Sequence, residues 1–216
     1  MTDTRSTEDV SAAWSAWLAV LDAAGYPGTT MVRPPAAPAE VAAAEAVFGR
    51  PFPDELRAFY ALSDGQRPDF PRGPGPHPSA TTSLFPATYA LLPLQQAIAE
   101  YRNWIEVVGP GDSKPDFDDH ITVRDDDPVR ARYWDPGWWP LATDGGGNSI
   151  AVDTVPEAGG AAGQLIVAGP DEDERRRVGT GVADYLRRLA GSALPPPPEP
   201  RKAGDPFVFW DRKDLR

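Results

Sequence analysis

The segment "WWPLATDGGGNSIAVDT", which runs from Trp138 to Thr154, limits the possible folds of this chain more than any other stretch. Two apolar runs with aromatic and β-branched residues flank the loop sequence Asp144-Gly-Gly-Gly-Asn148. Glycine adopts positive φ angles at little cost, so Asp-Gly and Gly-Asn steps between two such runs are typical of a hairpin turn. The segment therefore predicts two antiparallel strands joined by a tight loop.

The same glycine run must be compared with nucleotide- and metal-binding loops. A dinucleotide fingerprint needs G-x-G-x-x-G between a strand and a helix, whereas "SIAVD" after the glycines continues as strand. The P-loop pattern fails as well, because no Lys-Ser or Lys-Thr follows. Elsewhere, the aspartate-rich "DFDDHITVRDDD" lacks the glycine and the glutamate that an EF-hand loop requires. We therefore expect no cofactor and no metal site.

Few residues of the chain are suited to catalysis. There is no cysteine, and the two histidines, His77 and His120, lie far from any G-x-S-x-G elbow. The best enzyme hypothesis is a hydrolase that uses Asp144 and Asp153 as a carboxylate pair beside the hairpin. In the structural interpretation, Asp144 instead accepts hydrogen bonds from turn amides and Asp153 ends the second strand. We expect the second interpretation, and hence a protein that is not an enzyme.

Apolar spacing along the chain predicts helices before the hairpin, a short sheet, and a closing helix. The predicted helices lie at about 7–24, 38–48, 53–64, 93–108 and 175–189, and the predicted strands at 84–85, 89–92, 138–141, 149–152 and 164–168. This order is typical of an α+β fold rather than of alternating βαβ units. We predict a single domain whose small, mostly antiparallel (mixed) sheet is packed by N-terminal helices, a middle helix and a C-terminal helix.

The predicted organisation has three parts. Residues 1–30 form a Trp-containing helical extension, residues 38–191 the α+β domain, and residues 192–216 a Pro-rich tail that contains "FVFW". A Pro- and Gly-rich segment at 67–80 is predicted to be an exposed loop. No basic start precedes the first apolar run, and no stretch reaches the ~18 apolar residues of a membrane span, so we expect a cytoplasmic protein.

The chain is strongly acidic, with 32 acidic and 21 basic residues and a formal net charge of −11. Such a charge aids solubility, repels nucleic acid and attracts a basic partner. The acidity is greatest in the segment 112–127, which contains seven aspartates but only one lysine and one arginine. We expect a protein partner, for which a basic toxin domain is one candidate, no nucleic acid, no membrane, and a monomer or weak dimer.

The order of four segments resembles the SUKH superfamily, which includes the Smi/Knr-type cell-wall regulators of yeast and many bacterial toxin-immunity proteins. The segments are "AEVAAAEAVFGRPFPDELRAFYALSDGQ", "SLFPATYALLPLQQAIAEYRNW", "WWPLATDGGGNSIAVDT", and "GQLIVAG" with the later "GVADYLRRLA". They span Ala39 to Ala190. The resemblance implies an α+β domain with a small mixed sheet and no known catalytic chemistry.

The resemblance also implies a role in binding another protein. The leading hypothesis is an immunity protein that neutralises a cognate toxin; the alternative is a regulatory scaffold of the Smi/Knr type. The family's motif residues correspond here to Trp138, Asp144, Asn148 and Asp153, which either line a shared groove or hold the hairpin together. The Pro/Gly loop at 67–80, the acidic insertion at 112–130 and the "FVFW" tail are not core features of the family, so each is a candidate for partner specificity. Within the insertion the candidate partner-binding residues are Asp118, Asp119, Asp125, Asp126 and Asp127.

Overall fold

The computed structural model describes residues 4–26, 28–67, 83–86, 89–109 and 115–194. Almost all of the predicted 67–80 loop, and the tail from residue 195 onward, lie outside these ranges. The predictions for those two segments therefore stay predictions.

The described residues form a six-stranded sheet with helices before, within and after it. The helices are α1 (Thr4–Ala23), α2 (Gly28–Met31), α3 (Pro38–Phe48), α4 (Asp54–Tyr60), α5 (Leu94–Val108), α6 (Pro115–Asp118) and α7 (Val182–Ala190). The strands are β1 (Ala90–Leu91), β2 (Thr122–Val123), β3 (Trp138–Thr143), β4 (Ser149–Asp153), β5 (Gln164–Ala168) and β6 (Glu174–Gly179). The strand order is β1-β3-β4-β5-β6-β2, antiparallel throughout except for the parallel pair β2–β6. The predicted α+β fold with a mixed sheet is confirmed.

The predicted hairpin is confirmed as the antiparallel pair β3–β4. Its register places Trp138 opposite Asp153 and Thr143 opposite Ser149. The register of the pair shifts between Pro140 and Ala142. Proline has no backbone N–H, so Pro140 cannot donate a hydrogen bond to the neighbouring strand. The glycine run is therefore the connection of a hairpin.

The centre of the sheet is buried on both faces, which explains why "SIAVD" and "QLIVA" show no polar alternation. On one face, Trp139 lies in the main core, which α1, α3, α4, α5 and α7 complete. On the other face, Trp138 belongs to a second cluster, together with Trp104 of α5 and Trp134 of the preceding loop. The alternation of side chains along a strand predicts that one of the two adjacent tryptophans enters the core and that the other faces outward or lies under a loop. In the structure Trp138 lies under the loop that precedes β3.

Helix α1 contributes to the main core. It packs against α7 and α4, and Trp17 Nε1 donates a hydrogen bond to the Leu84 carbonyl at 3.0 Å. Trp14 makes an edge-to-face contact with Phe59, with ring centroids 5.2 Å apart. The segment predicted to be an extension thus shares a core with the rest of the described chain, while its boundary stays a prediction.

The prediction of a closing helix over 175–189 is wrong in its first half. Residues Glu174–Gly179 form β6, which pairs with β5, and α7 begins only at Val182. The apolar spacing that suggested a longer helix arises because Val178 and Val182 reach the same core, one from the strand and one from the helix. Consequently the acidic residues 171–173 precede a strand, which Glu174 begins, and not a helix N-terminus. The strand predicted at 84–85 is also absent, since these described residues form a bend.

Polar groups cover the β1 edge of the sheet and the part of β6 that the short outer strand β2 leaves unpaired. At the β1 edge, Gln66 donates its backbone N–H to the Leu91 carbonyl and accepts from the Leu91 N–H through Oε1, each at 3.0 Å. At the β6 edge, Asp127 Oδ2 accepts from the Arg177 N–H at 2.8 Å, and Arg188 donates to the Val178 carbonyl at 2.7 Å. Strand addition by a partner would have to displace these groups.

The buried bond between Trp139 and Tyr60 gives a test of the main core. Trp139 Nε1 donates to the Tyr60 hydroxyl at 3.0 Å, and both residues are fully buried. Tyr60→Phe leaves the indole N–H without its partner, so the free energy of unfolding should fall by about 1 to 3 kcal/mol in urea titrations. Tyr133→Phe is the control, because that hydroxyl has no hydrogen bond within the described residues. Equal losses in the two variants would contradict this role for the bond.

Candidate functional site at the two ends of the hairpin

The tip of the hairpin is organised by Asp144. Its Oδ1 accepts from the N–H groups of Gly146 at 2.7 Å and Asn148 at 3.1 Å, and its Oδ2 accepts from Asn148 Nδ2 at 2.7 Å. These bonds satisfy donors that a glycine-rich turn would otherwise leave to water. The structural interpretation of Asp144 is confirmed.

Asn148 joins this turn to the neighbouring β5–β6 turn. Its Oδ1 accepts from the Asp171 N–H at 3.0 Å, and its Nδ2 lies 3.4 Å from Asp171 Oδ2. The two turns approach so closely that a Cβ on Gly169, where φ is +155°, would lie 2.4 Å from the Asn148 Cα. The sequence analysis missed Gly169, because a single glycine in "VAGPDEDE" does not indicate which backbone lies against it.

A largely buried polar group, formed by Tyr89, Glu172 and Arg176, adjoins the β5–β6 turn. Arg176 Nη1 contacts Glu172 Oε2 at 2.9 Å, and the Tyr89 hydroxyl donates to Glu172 Oε1 at 3.4 Å. Burial, together with the charges of Glu172 and Asp144, raises the pKa of Tyr89 well above its ordinary range. Tyr89 therefore remains a neutral hydrogen-bond donor, which fits a supporting role for this group.

The opposite end of the hairpin is organised by Asp153, which is fully buried. Its Oδ1 accepts from the Val155 N–H and its Oδ2 from Gln164 Nε2, both at 2.8 Å. Gln164 Nε2 also donates to the Pro128 carbonyl at 2.8 Å, so the pair ties strands β4 and β5 to the loop that covers Trp138. Burial raises the pKa of Asp153 to about 6, even though both hydrogen bonds oppose the shift.

A second buried carboxylate, Asp135, lies in the same loop. It accepts from the Gly137 N–H at 2.7 Å and pairs with Arg130 Nη1 at 3.0 Å. Its negative charge adds to the elevation of the pKa of Asp153, which the Arg130 guanidinium partly offsets. Sequence analysis missed Asp135 and Gln164, since neither belongs to a recognisable motif.

The structure does not bring Asp144 and Asp153 together. Asp144 follows the Thr143–Ser149 pair at the turn, whereas Asp153 lies opposite Trp138 at the far end of β4. Four residue steps along a strand span roughly 13 Å, beyond the roughly 5 to 10 Å at which two carboxyl groups act on one bond in glycoside hydrolysis. The geometry gives no support to the hydrolase hypothesis.

The predicted partner-binding residues fall into two groups. Trp138 and Asp153 are fully buried, and Asn148 is nearly so, which leaves Asp144 as the half-exposed member of the family motif. In the acidic segment, Asp118 accepts from the Tyr133 N–H at 2.6 Å and Asp127 accepts from the Arg177 N–H at 2.8 Å. The exposed members of the prediction are Asp119, Asp125 and Asp126. Partner binding by these side chains stays a prediction.

A buried arginine, Arg175, holds the loop before β3 against the edge of the sheet. It donates to the carbonyls of Arg132 at 2.9 Å, Tyr133 at 2.7 Å and Glu172. Burial lowers the pKa of Arg175 to about 10, so the guanidinium remains charged at neutral pH. Nothing in "ERRRVG" distinguishes this arginine from its neighbours, and sequence analysis missed it.

Two further properties bear on function. In the parts of the chain that the structure describes, no group of three or more His, Cys, Asp or Glu side chains could hold a metal ion. No helix in these same ranges is long and apolar enough to cross a bilayer.

Comparison with known proteins places the hairpin within a family domain. Residues 35–188 match the model of the SMI1 / KNR4 family (SUKH-1). The cell wall biosynthesis/cell cycle regulator smi1 of Schizosaccharomyces pombe is 44% identical over 62 residues, which are 29% of this chain and 12% of that protein. The glucan synthesis regulatory protein of Neurospora crassa is 34% identical over 88 residues, 41% of this chain and 15% of that protein.

A longer match is found in the cell wall assembly regulator SMI1 of Saccharomyces cerevisiae. It is 25% identical over 190 residues, which cover 76% of this chain and 34% of that protein. The chain thus spans no more than about a third of the length of these three relatives. The matched range 35–188 runs from just before α3 to within α7.

The raised pKa of Asp153 predicts a pH dependence of stability. A carboxyl whose pKa rises from its ordinary value of 3.8 to about 6 on folding stabilises the fold fully at low pH, and this contribution is lost as the pH rises through about 6. The loss between pH 4 and pH 7 is roughly 2 kcal/mol. Asp153→Asn should remove this component from the slope of unfolding free energy against pH, measured by urea titration.

Asp119→Asn is the matched control for this measurement, because it removes one carboxylate from an exposed position. It should keep the wild-type slope. An unchanged slope in Asp153→Asn would show that the proton uptake at Asp153 does not differ between the folded and unfolded chain.

The close approach of the two turns predicts a glycine requirement. Gly169→Ala should lower the unfolding free energy by roughly 2 to 4 kcal/mol, because the new Cβ meets backbone in a conformation that favours glycine. Gly146→Ala is the control in the adjacent turn, where the nearest neighbour of an added Cβ is Asp144 Oδ1 at 3.4 Å. Thermal and urea unfolding of the two variants measure the difference, and equal stability would exclude the tight contact between the turns.

Proposed function

The chain belongs to the SMI1 / KNR4 family (SUKH-1), and from this premise we propose that it is a non-catalytic protein-binding domain with a regulatory role in the cytoplasm. The observation that carries the proposal is the family match over 35–188, combined with relatives that are named as regulators of cell wall biosynthesis, glucan synthesis and cell wall assembly. Those relatives are much longer proteins, of which this chain matches only a part. The cellular process that this chain regulates is therefore also a proposal.

The use of the polar motif residues supports a binding role over a catalytic one. Asp144 and Asn148 are occupied with turn amides, and Asp153 is bonded to Val155 and Gln164. Because the β1 edge and the unpaired part of β6 are covered, a partner is expected to contact side chains on the surface rather than to add a strand at either place. The family motif then supplies a rigid framework, and recognition belongs to the surface around it.

A second candidate function is neutralisation of a toxin, and the acidic surface favours it. A net charge of −11 and the exposed aspartates of the 112–127 insertion suit a basic partner such as a nuclease domain, to which association would be fast and dependent on salt. Regulation has the stronger support, because the named relatives are regulators.

A deletion in the organism that makes this chain separates the two functions. Under the regulatory proposal, cells without the chain become sensitive to conditions that weaken the cell wall, and no toxin is needed for this effect. Under the toxin-neutralising function, the same cells grow normally until the cognate toxin is present. The full chain should restore either phenotype when it is supplied again.

Two controls make the deletion decisive. Complementation with the Gly169→Ala variant tests whether loss of stability alone imitates the phenotype, and Gly146→Ala should restore wild-type behaviour. Complementation with a chain that lacks residues 195–216 then tests whether the tail, which lies outside the described residues, is needed for the regulatory function. Absence of any phenotype together with measurable turnover by the purified chain would contradict a binding function.

A further inference from the structure

Two large apolar side chains are exposed within the described residues, Val107 at 44% and Phe117 at 38%. Val107 lies on α5, one helical turn after Trp104, and Phe117 lies on α6. The ring of Phe117 stacks on Tyr133, with centroids 5.3 Å apart and planes inclined by 28°. We refer to Phe117 and Tyr133 as the Phe117 surface.

The Phe117 surface is the outer end of an aromatic series that reaches the sheet. Tyr133 contacts Trp104 edge-to-face at 5.6 Å, and Trp104 stacks on Trp134 at 4.4 Å with parallel planes. Trp134 in turn meets Trp138 of β3 at 5.8 Å. An exposed ring supported in this way is already ordered before a partner arrives, so binding to it costs little conformational entropy.

The backbone of Tyr133 is held from both sides. Its N–H donates to Asp118 Oδ1 at 2.6 Å, and its carbonyl accepts from Arg175 Nη2 at 2.7 Å. Arg175 therefore does more than hold the loop before β3. It also positions Tyr133 between Trp104 and Phe117.

Carboxylates lie next to this surface on the side of His120. The His120 ring lies 6.1 Å from that of Tyr133, and its Nε2 is 3.8 Å from Asp173 Oδ1. The parallel pairing of β2 with β6 brings residues 119–126 beside 171–174, since the Thr122 N–H donates to the Asp173 carbonyl at 2.9 Å. The segments 117–127 and 171–174 contain six exposed carboxylates and one exposed guanidinium, that of Arg124, which pairs with Glu174 at 2.9 Å.

An exposed ring pair beside surplus carboxylates has a defined complement. The face of an aromatic ring attracts a cation, and the arginine guanidinium also stacks on such a face while its N–H groups reach carboxylates. Lysine would satisfy the carboxylates without the stacking. A nucleic acid or an acidic lipid headgroup would be repelled by the same charges.

We propose that the Phe117 surface docks a basic segment of a protein partner, in which an arginine lies over the Phe117–Tyr133 pair and further basic residues meet Asp119 and Asp173. This inference rests on the proposed protein-binding function and names its surface and the chemistry of its partner. The proposed docking surface combines acidic residues that lie about fifty positions apart in the sequence. It also includes the exposed ring of Phe117, whereas the site predicted from the sequence contained only aspartates in this segment.

The test uses the full chain, labelled with 15N, and a short synthetic peptide in which arginines alternate with leucines. Amide shifts should map to residues 117–126, 133 and 173–175, and a peptide with glutamate in place of every arginine should leave them unchanged. Phe117→Ser should weaken binding about tenfold through loss of the stacked ring. Phe117→Leu keeps an apolar side chain and should still lose most of the affinity, which separates stacking from general hydrophobic contact.

A matched pair of charge variants isolates the position of the carboxylates. Asp119→Asn with Asp173→Asn should weaken binding about tenfold, whereas Glu8→Gln with Asp9→Asn removes the same charge from the exposed side of α1 and should change the Kd by less than about twofold. Dispersed amide spectra confirm that each variant is folded. Equal weakening by the two pairs, or shifts that map to another face, would overturn the proposal.

The experiments distinguish failure of the Phe117 surface proposal from failure of the proposed protein-binding function. If a natural partner binds the wild-type chain and Phe117→Ser equally well, the Phe117 surface is wrong while a protein-binding function stands. If the chain proves to be an enzyme, the proposed function fails whatever the peptide does.

Discussion

The burial of both faces of strands β3, β4 and β5 is the constraint on which the rest of the structure depends. A sheet that is apolar on two sides needs two covers. Helices supply one, with Trp139 at the centre of an aromatic group that includes Phe48, Phe52 and Tyr101. On the other side α5 contributes Trp104 and Val108, and the 128–137 loop adds Val129 and Trp134 to the cover. A loop can cover a core only if its backbone groups find partners, and Arg175, Asp118 and Gln164 provide them.

Buried polar side chains therefore follow from the architecture. Asp153 and Gln164 join the hairpin to the covering loop at one end of the sheet, and Asn148 joins two turns at the other. In the sequence these polar residues look like candidates for catalysis. In the structure each of them forms a hydrogen bond with a backbone group. The surface that remains for recognition is built by the same loop, since Tyr133 adjoins Trp134 and carries the aromatic series outward to Phe117. Under the proposed docking at the Phe117 surface, one segment therefore serves both structure and recognition.

Much of the fold could be predicted from local patterns. The hairpin was predictable because glycines between branched residues admit few alternatives, and α3 was predictable because Pro38 and Gly49 mark its ends, with φ of +74° at Gly49. Family membership followed from the order of such elements and is confirmed. Strand β6 was missed because "ERRRVG" carries helix-favouring charged residues and becomes a strand only through pairing with β5. The roles of Asp118, Asp127 and Arg175 were missed for the same reason: each depends on a backbone group that is distant in sequence, at Tyr133, Arg177 or Arg132.

Native-state hydrogen–deuterium exchange of the full chain tests most directly whether the two-sided sheet is the framework on which everything else rests. The amides of Ile150, Ala151 and Val152 in β4 should exchange only through global unfolding, with the slowest rates among the described residues, while the 144–148 turn exchanges faster. β5 should follow β4, because the two strands are paired along their whole length. Rapid exchange in β4 under native conditions would show that the hairpin opens by itself. Its buried polar groups would then be available for chemistry or binding, which would contradict a purely architectural role for the hairpin.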